Sequence, residues 1–319
     1  MYIYLIILIF GVRCRIYHII RFRREAISVK PKVTIGMCVK NGAATLSYAI
    51  KSVLAQDFPH ELMELIFVDD GSTDASVRII KANVDSADMS VKVLSQIWQG
   101  LGASRQLVVD AAEGDYIVWV DCDMILPTDH IRKQVEFMED NPEVGLGKAR
   151  YGILRGENSI ATLENLPFVL QDLRRGLLYS KLPGTGGAIF RTKAIKQAGG
   201  FDKELKGCGE DQDAAFRVKS SGWSIRRTPA IFYEKRVNTW SDLWGKWFWY
   251  GQGDRQLYYK NRYVFSLFGM SPPAGFVNGL LQIPDSYRLI HRADVSVLSP
   301  FHSAFRMVAW CSGFVLQQH

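Results

Sequence analysis

Two aspartates, Asp121 and Asp123, stand one residue apart directly after the apolar run YIVWV of 116–120. Side chains two residues apart in a strand point to the same side, so both carboxylates could reach one ligand where the strand ends. Carboxylates at the carboxyl edge of a sheet are typical of a metal or phosphate site. For an isolated pair the alternative is a solvated turn, so the other acidic groups of the chain decide between the two.

A second acidic pair has the same setting. Asp69 and Asp70 follow the apolar run LIFV, and Gly71 then permits a tight turn before a helix. A carboxylate at a strand end can accept hydrogen bonds from ribose hydroxyls or from a base N–H. Helix capping is the alternative, but it accounts for Ser72 and Asp74 and leaves the first two acids unexplained.

A third acidic group consists of Glu210, Asp211 and Asp213, in the first turn of a predicted helix behind the small residues GCG. Acids at this place complement the helix dipole, yet three exceed what a cap requires. Arg105, in the first turns of the helix before the Asp121 strand, could reach phosphates, although a lone arginine is more often a surface charge. Small residues at 184–188 keep side chains away from a bulky ligand.

These residues need a scaffold that brings strand ends together, and the chain from Lys32 onward alternates strands with helices. The strand-like runs are 33–39, 65–69, 91–95 and 116–120, and the helical runs between them include 44–55 and 101–112. This order predicts the α/β class, with a mostly parallel, doubly wound sheet and helices on both faces. No G-x-G-x-x-G follows the first strand and no Walker lysine loop occurs, which argues against dehydrogenases and P-loop phosphotransferases.

Composition narrows the choice of partners. The formal net charge is +7, but residues 1–30 hold six basic residues against Glu25 alone, so the remainder carries only about +2. A surface suited to nucleic acid is therefore not expected. The five cysteines are odd in number and show no C-x-x-C spacing. This pattern argues against a disulfide framework or a zinc site and favours a reducing compartment.

Both ends of the chain have membrane-like composition. An eleven-residue apolar run at 2–12 is too short to span a bilayer, and the basic run RCRIYHIIRFRR follows it. We interpret residues 1–29 as a membrane-contacting segment of the kind that forms a helix on anionic lipid. An amphipathic helix docked on the body is the alternative.

The last third, residues 238–319, is aromatic and apolar. Trp240, Trp244 and Trp247 recur at helical spacing, and residues 263–284 carry no charge but are interrupted by prolines. We predict a membrane-associated region on the cytoplasmic face, with a broken hydrophobic element and no clean span. A core-packing stripe and a platform for a sugar acceptor are the alternatives for the tryptophans.

Taken in order, the motifs resemble the inverting family-2 glycosyltransferases of membrane-associated type, which have a GT-A nucleotide-binding fold. The resemblance covers about residues 32–235, taken here as a domain of residues 30–237. It is carried by VTIGMCVKNGAATLSYAIKSVLAQDFP, LIFVDDGSTD, LGASRQL, DCD and GGFDKELKGCGEDQDAAFRV. The sequence departs from the family pattern at Gln106, which replaces an asparagine, and at Gln256, which replaces the tryptophan of a Q-x-x-R-W motif.

The resemblance implies roles for individual residues. Asp211 would be the general base, with Glu210 beside it. Asp123, with Asp121, would bind Mn²⁺ or Mg²⁺. Glu234 stands at the approximate place of a histidine that some members use as a further ligand. The residues assigned to the nucleotide sugar are Val39, Asn41, Asp70, Arg105, Asp121 and Gly187.

The implied activity is metal-dependent transfer of a sugar from a nucleoside-diphosphate sugar to a hydroxyl of a lipid-linked or glycan acceptor, as in polysaccharide or glycolipid biosynthesis. Two alternatives stay open. In a polyprenyl-phosphate glycosyltransferase, Asp211 would orient an acceptor oxygen that is already anionic. A catalytically silent subunit that binds the sugar nucleotide is the other, and the intact acidic pairs argue against it.

Overall fold

The computed structural model describes residues 18–22, 30, 32–85, 87–154, 158–174, 182–262 and 267–316. Its strands are β1 (His18–Phe22), β2 (Val33–Val39), β3 (Met63–Asp70), β4 (Ser90–Gln96), β5 (Tyr116–Trp119), β6 (Met124–Ile125), β7 (Val144–Tyr151), β8 (Ala188–Arg191) and β9 (Ser224–Glu234). Its α-helices are α1 (Leu46–Leu54), α2 (Ser76–Val84), α3 (Leu101–Ala111), α4 (His130–Asp140), α5 (Ser159–Arg174), α6 (Thr192–Gln197), α7 (Glu210–Ser220), α8 (Trp240–Lys260), α9 (Pro272–Ile290), α10 (Ala293–Ser296) and α11 (Ser299–Val315).

The strands form one sheet in the order β1-β4-β3-β2-β5-β8-β7-β9-β6. Strands β4, β3, β2 and β5 run parallel, as expected where helices connect successive strands. Strand β8 is antiparallel to β5 and β7, so the second half of the sheet is mixed. The predicted α/β class, with a mostly parallel sheet between helices, is confirmed.

Alternating apolar residues build a core on each face of the sheet. Val33, Ile35 and Met37 of β2 belong to one cluster, which the helices α1, α2 and α4 cover. Ile117 and Trp119 of β5 belong to the opposite cluster, beneath α3, α6 and α7. Because both faces are covered, polar side chains of the central strands are left at the strand ends, where the candidate site lies.

The N-terminal segment 1–29 was expected to form a helix, and the part of it that the structure describes is a strand. His18–Phe22 form an edge strand, antiparallel to β4, so the expected helix is wrong for these five residues. Composition had suggested the helix, and the edge of β4 offers unpaired backbone groups that this segment pairs with as a strand. The rest of 1–29 lies outside the described residues, so its contact with a membrane stays a prediction.

The C-terminal region forms a helical layer of α8, α9 and α11. Trp247 of α8 packs in a cluster with Met307 and Trp310 of α11, and Trp240 and Trp244 make edge contacts with Phe305. The tryptophan stripe therefore packs in part within the protein, as one of the alternatives had it. Across the described helices, none combines the length and the apolar character needed to cross a membrane.

Candidate active site

The carboxyl ends of β2 and β3 are joined by side chains of the DDGSTD segment. Val39 pairs with Asp69 in register, so the two strands end together. Asn41 has a left-handed backbone, with φ of 51°. Its Oδ1 accepts from the backbone N–H of Thr73 at 2.8 Å, and its own N–H donates to Ser72 Oγ at 3.0 Å. These bonds hold both loops as one rim.

Asp70 organises the next loop, at the end of β4. Its Oδ1 accepts from Gln96 Nε2 at 2.7 Å and from the N–H of Gln99 at 2.8 Å, while Oδ2 accepts from the N–H of Gly100 at 2.8 Å. Only 5% of Asp70 is exposed. A buried carboxylate needs such donors. Asp70 therefore shapes the loop that leads into α3, and its contact with a nucleoside stays a prediction.

Arg105, on the first turns of α3, connects two of the acidic groups. Its Nη1 donates to Glu210 Oε1 and its Nη2 to Asp121 Oδ1 at 3.2 Å, and its Cζ lies 5.8 Å from the Trp119 ring centroid. The side chain is buried, with 4% exposure. Residues that are 105 positions apart in the chain, on α3 and α7, thus meet beside the end of β5.

The three acids in the first turn of α7 have different surroundings. Glu210 is 1% exposed, and its Oε2 has no hydrogen-bond partner among the described residues. Asp213 is also buried and pairs with Arg217 and Lys260. Asp211 accepts only from the neighbouring Gln212 N–H in the bonds that the structure records. Among the described residues, Asp211 is the acid of this turn for which no ion pair is recorded.

A glycine loop at 184–187 lies against both Asp121 and Asp211. A Cβ atom on Gly184 would be 2.9 Å from Asp211 Oδ2, and one on Gly186 would be 3.1 Å from Asp121 Oδ2. Gly187 has a φ of +65° and donates its N–H to the Trp119 carbonyl at 3.2 Å. Larger residues would push into the two carboxylates, which is why this stretch is glycine-rich.

Lys148 of β7 supports this loop and is not among the predicted site residues. Its Nζ donates to the carbonyls of Gly184 and Gly186 and lies 5.2 Å from the Tyr151 ring centroid. Burial lowers the pKa of Lys148 to about 8. A lysine within the small and apolar run VGLGKA was the available signal, because a buried strand seldom includes a cation.

Asp123 lies beside Glu234 where β6 pairs with β9. The Asp123 carbonyl accepts from the N–H of Lys235 at 2.8 Å, and Met124 is the register partner of Glu234. Burial and the nearby Glu234 carboxylate raise the pKa of Asp123 to about 7. Such crowding of carboxylates fits a cation, which would relieve their repulsion.

Glu234 itself has other partners. It is ion-paired with Arg236, and its Oε1 lies 3.6 Å from Lys246 Nζ. In the part of the chain that the structure describes, no group of three or more His, Cys, Asp or Glu side chains is arranged to hold a metal alone. A cation at Asp121 and Asp123, as the sequence predicts, would therefore need further ligands, which a bound nucleotide and water could supply.

The structure thus brings Arg105, Asp121, Glu210, Asp211 and Gly187 together at one edge of the sheet. Asp123 with Glu234 lies on one side of this group. The loops after β2 and β3, with Val39, Asn41 and Asp70, form the rim on the other side.

The model of glycosyl transferase family 2 matches residues 34–198, which is more than half of the chain. The protein therefore belongs to this family of glycosyltransferases.

Curated relatives include several glycosyltransferases. The chain is 38% identical over 112 residues to an uncharacterized glycosyltransferase of Haemophilus influenzae, covering 35% of this chain and 44% of that protein. It is 25% identical over 268 residues to a probable glycosyltransferase of Bacillus subtilis, covering 77% and 63%. It is 24% identical over 249 residues to a beta-monoglucosyldiacylglycerol synthase of Nostoc, covering 74% and 52%. The chain spans about half the length of these relatives.

Solved structures have the same fold. A mannosyltransferase of Pyrobaculum calidifontis, in complex with GDP-Man and Mn²⁺, aligns with a TM-score of 0.58 at 17% identity, covering 92% of this chain and 77% of that one. The Staphylococcus aureus protein TarS, residues 1–349 in complex with UDP, aligns with a TM-score of 0.52 at 17% identity, covering 90% and 93%. The GT-A architecture implied by the sequence motifs is confirmed.

Proposed function

We propose that this protein is an inverting, metal-dependent glycosyltransferase. It moves a sugar from a nucleoside-diphosphate sugar to a hydroxyl of a lipid-linked or glycan acceptor. One observation carries the proposal: the loop 184–187 touches Asp121 near Gly186 and Asp211 near Gly184. One short stretch of backbone therefore lies between a carboxylate suited to the leaving group and a carboxylate suited to the acceptor.

Asp211 is the general base of this proposal. The acceptor oxygen attacks the anomeric carbon while Asp211 takes the proton of that hydroxyl. The bond between the anomeric carbon and the diphosphate oxygen breaks through an oxocarbenium-like state. A positioned base contributes about two to four orders of magnitude in rate. Glu210, which is ion-paired with Arg105, fixes the first turn of α7 and with it the position of Asp211.

Arg105 and the metal ligands serve the leaving group. Asp123 and Asp121 would hold Mn²⁺ or Mg²⁺, which supplies charge stabilisation to the departing diphosphate. Glu234 is ion-paired with Arg236, so we give it an indirect role, through its repulsion of Asp123. The structural neighbours bind GDP-Man, which is a sugar donor, and UDP, which is the nucleotide such a donor releases, and both support a nucleoside-diphosphate sugar as the donor.

We also propose that the protein works on the cytoplasmic face of a membrane, through residues 238–319. The buried side of helix α9 carries small and polar residues, and its exposed side carries large apolar residues. Gly275, Gly279 and Ser286 are buried, whereas Leu280 and Leu281 are 46% and 66% exposed. A helix that faces water exposes polar residues and buries apolar ones. A helix that lies in a lipid interface exposes apolar residues, as α9 does. The glycolipid synthase among the relatives supports a lipid-linked acceptor.

The test measures the melting temperature in the presence of a sugar donor and the rate of sugar transfer. We expect a donor among UDP-glucose, UDP-GlcNAc and GDP-mannose to raise the melting temperature only with Mn²⁺ or Mg²⁺. Asp123→Ala should abolish this shift. Asp211→Asn should keep it and lose about 100-fold or more in transfer. Asp140→Asn, at an exposed position on α4, is the control. Unchanged donor turnover in both Asp123→Ala and Asp211→Asn contradicts the proposal.

A further inference from the structure

An exposed tryptophan lies on the loop between β4 and α3. Trp98 is 54% exposed, and Ile97 beside it is 80% exposed. The backbone of this loop touches the loop after β3, because a Cβ atom on Gly71 would be 3.0 Å from the backbone N of Trp98. The N–H of the next residue along the loop donates to Asp70 at 2.8 Å. Trp98 therefore lies at the rim of the candidate site, on the side of Asp70.

Buried hydrogen bonds hold the backbone of this loop in one place. Asp70 accepts from the N–H of Gln99 and from the N–H of Gly100, each at 2.8 Å. Gln96 Nε2 donates to Asp70 at 2.7 Å and to Ser104 Oγ of α3 at 3.0 Å. The side chains of Asp70, Gln96 and Ser104 are all buried. Because the loop is already ordered, a ligand that binds its tryptophan has little chain entropy to remove.

The same hydrogen bonds occupy most of the Asp70 carboxylate. Three donors of the chain are directed at its two oxygens, and 5% of the residue is exposed. A carboxylate has about four acceptor positions, so the chain fills three of them and burial restricts access to the fourth. This geometry gives Asp70 an indirect role toward a nucleotide, through the loop that it holds.

The indole of Trp98 lies between this rim and the segment that leads to Asp211. Lys206 Nζ lies over the indole ring, 5.9 Å from its centroid. The backbone of Lys206 is fixed against α3, since its carbonyl accepts from the N–H of Leu101 at 3.1 Å. A cation thus approaches the indole while more than half of Trp98 remains exposed. An exposed indole suits a flat aromatic ligand, because two π systems stack in an offset arrangement.

The arrangement of groups across the site indicates which part of a donor meets Trp98. Asp123 and Arg105 are the groups proposed for the diphosphate, and the glycine loop 184–187 touches Asp211 on the acceptor side. In a nucleoside-diphosphate sugar, the base and the sugar are at opposite ends of the diphosphate. With the sugar beside Asp211, the base extends toward the loops after β3 and β4, where the indole of Trp98 is exposed.

We propose that the base of the donor nucleotide stacks on Trp98, and that this stacking, and not a hydrogen bond to Asp70, supplies most of the affinity for the base. The inference rests on the proposed function. Every base has a π face, so stacking tolerates different bases and contributes about tenfold to 100-fold in affinity. The site should therefore accept uracil and guanine nucleotides with similar affinity, and guanine should bind slightly better because its ring system is larger.

The experiment measures dissociation constants of UDP, GDP and inorganic pyrophosphate by titration calorimetry, with Mn²⁺ or Mg²⁺ present. Trp98→Leu keeps an apolar side chain and removes the π face. In this variant the affinity for UDP and for GDP should each fall about tenfold or more, while the affinity for pyrophosphate, which has no base, stays at the wild-type value.

Two further variants control for the change of side chain. Trp98→Phe keeps a smaller aromatic ring and should recover part of the lost nucleotide affinity. Trp240→Leu, at a tryptophan of α8 that is 44% exposed, should bind all three ligands as wild type does. Because Trp98 is exposed, the melting temperature of ligand-free Trp98→Leu should equal that of wild type.

Three results overturn the inference while the glycosyltransferase reaction stands. Unchanged affinity of Trp98→Leu for UDP and GDP shows that the indole does not touch the base. An equal loss of affinity for pyrophosphate shows that the substitution acts on the whole loop. A wild-type preference of more than about 100-fold for one of the two nucleotides shows that hydrogen bonds read the base. If wild type binds neither nucleotide with either metal ion, the proposed function itself fails.

Discussion

Arg105 shows how one side chain constrains the whole site. Its two terminal nitrogens bind Glu210 and Asp121, from different elements, and the residue is almost fully buried. A guanidinium suits this place because its fork presents several donors in fixed directions, whereas a lysine would reach one carboxylate at a time. Without Arg105 the buried Glu210 would be an uncompensated charge, which typically costs about 3–5 kcal/mol.

His130 gives a pH-dependent stability that can be measured. Its Nδ1–H donates to the Ile231 carbonyl at 2.7 Å, and its Nε2 accepts from Gln134, which also donates to Gly187. Burial lowers the pKa of His130 from 6.5 to about 4. The unfolded chain therefore takes up the proton first, and stability is lost as the pH falls below about 6.5. We expect His130 to account for about 1 kcal/mol of the loss between about pH 7.5 and 5.5.

Urea unfolding at both pH values tests this expectation. His130→Gln should lower the stability at about pH 7.5 and reduce the difference between the two pH values by about 1 kcal/mol. His291→Asn, at an exposed position, should leave that difference unchanged. An unchanged difference in His130→Gln would show that the imidazole titrates alike in the folded and unfolded chain.

At the scale of elements, the glycine loop 184–187 has the shape on which the proposed site depends most. Lys148 binds its carbonyls from β7, Gln134 binds it from α4, and its own N–H at Gly187 binds the end of β5. The loop is thus tied to three elements of the domain. Its two faces differ, since Gly184 and Gly186 face carboxylates while Gly187 faces the ring of Phe232.

This difference predicts opposite effects of two similar substitutions. Gly184→Ala has no left-handed backbone to strain, so stability should change by less than about 1 kcal/mol. Its methyl group displaces Asp211, however, and transfer should fall by about 100-fold. Gly187→Ala combines a φ of +65° with a clash against Phe232, and should lose about 2–4 kcal/mol of stability.

Thermal melting and sugar transfer, measured on the same samples, separate these effects. Gly269→Ala is the matched control, because a Cβ atom there meets nothing within 4 Å. Full transfer activity in Gly184→Ala would show that the loop does not limit the position of Asp211, and the proposed site would need another arrangement.

At the scale of the molecule, the helical layer is fixed to the rest of the fold by hydrogen bonds and ion pairs. Glu164 of α5 accepts from Trp247 Nε1 and Arg306 Nη1, each at 3.1 Å. At the far end of α8, Lys260 bridges Asp202 and Asp213. The surface of α9 that we propose for the membrane is therefore held in a constant position relative to the site.

Sedimentation with lipid vesicles tests whether the protein binds a membrane through the exposed side of α9. Leu281→Glu places a charge on the exposed apolar side of α9 and should reduce sedimentation with anionic vesicles by about tenfold or more. Leu173→Glu, at an equally exposed leucine on α5, should leave it unchanged. Equal loss in both variants would indicate a general effect of charge, and no loss in Leu281→Glu would contradict the role of α9.

Local patterns were sufficient for the central part of the fold. Apolar runs indicated β2, β3, β4 and β5, because these strands are buried on both faces of the sheet. Helical spacing of apolar residues indicated α1 and α3, which each bury one face. The acids after β3 and β5 could be placed at one edge, since parallel strands end together. The motif DDGSTD and the segment GEDQD, with their order in the chain, were enough to indicate the family.

Tertiary structure alone decided the rest, because it depends on contacts between residues far apart in the chain. The period of His18–Phe22 suits a helix or a strand, and the free edge of β4 selects the strand. Lys148 stands out in the sequence of β7, but its contact with the carbonyls of the glycine loop depends on the packed fold. Likewise, of three acids in one turn, Glu210 and Asp213 are neutralised by Arg105 and by Lys260, partners that only the packed fold supplies.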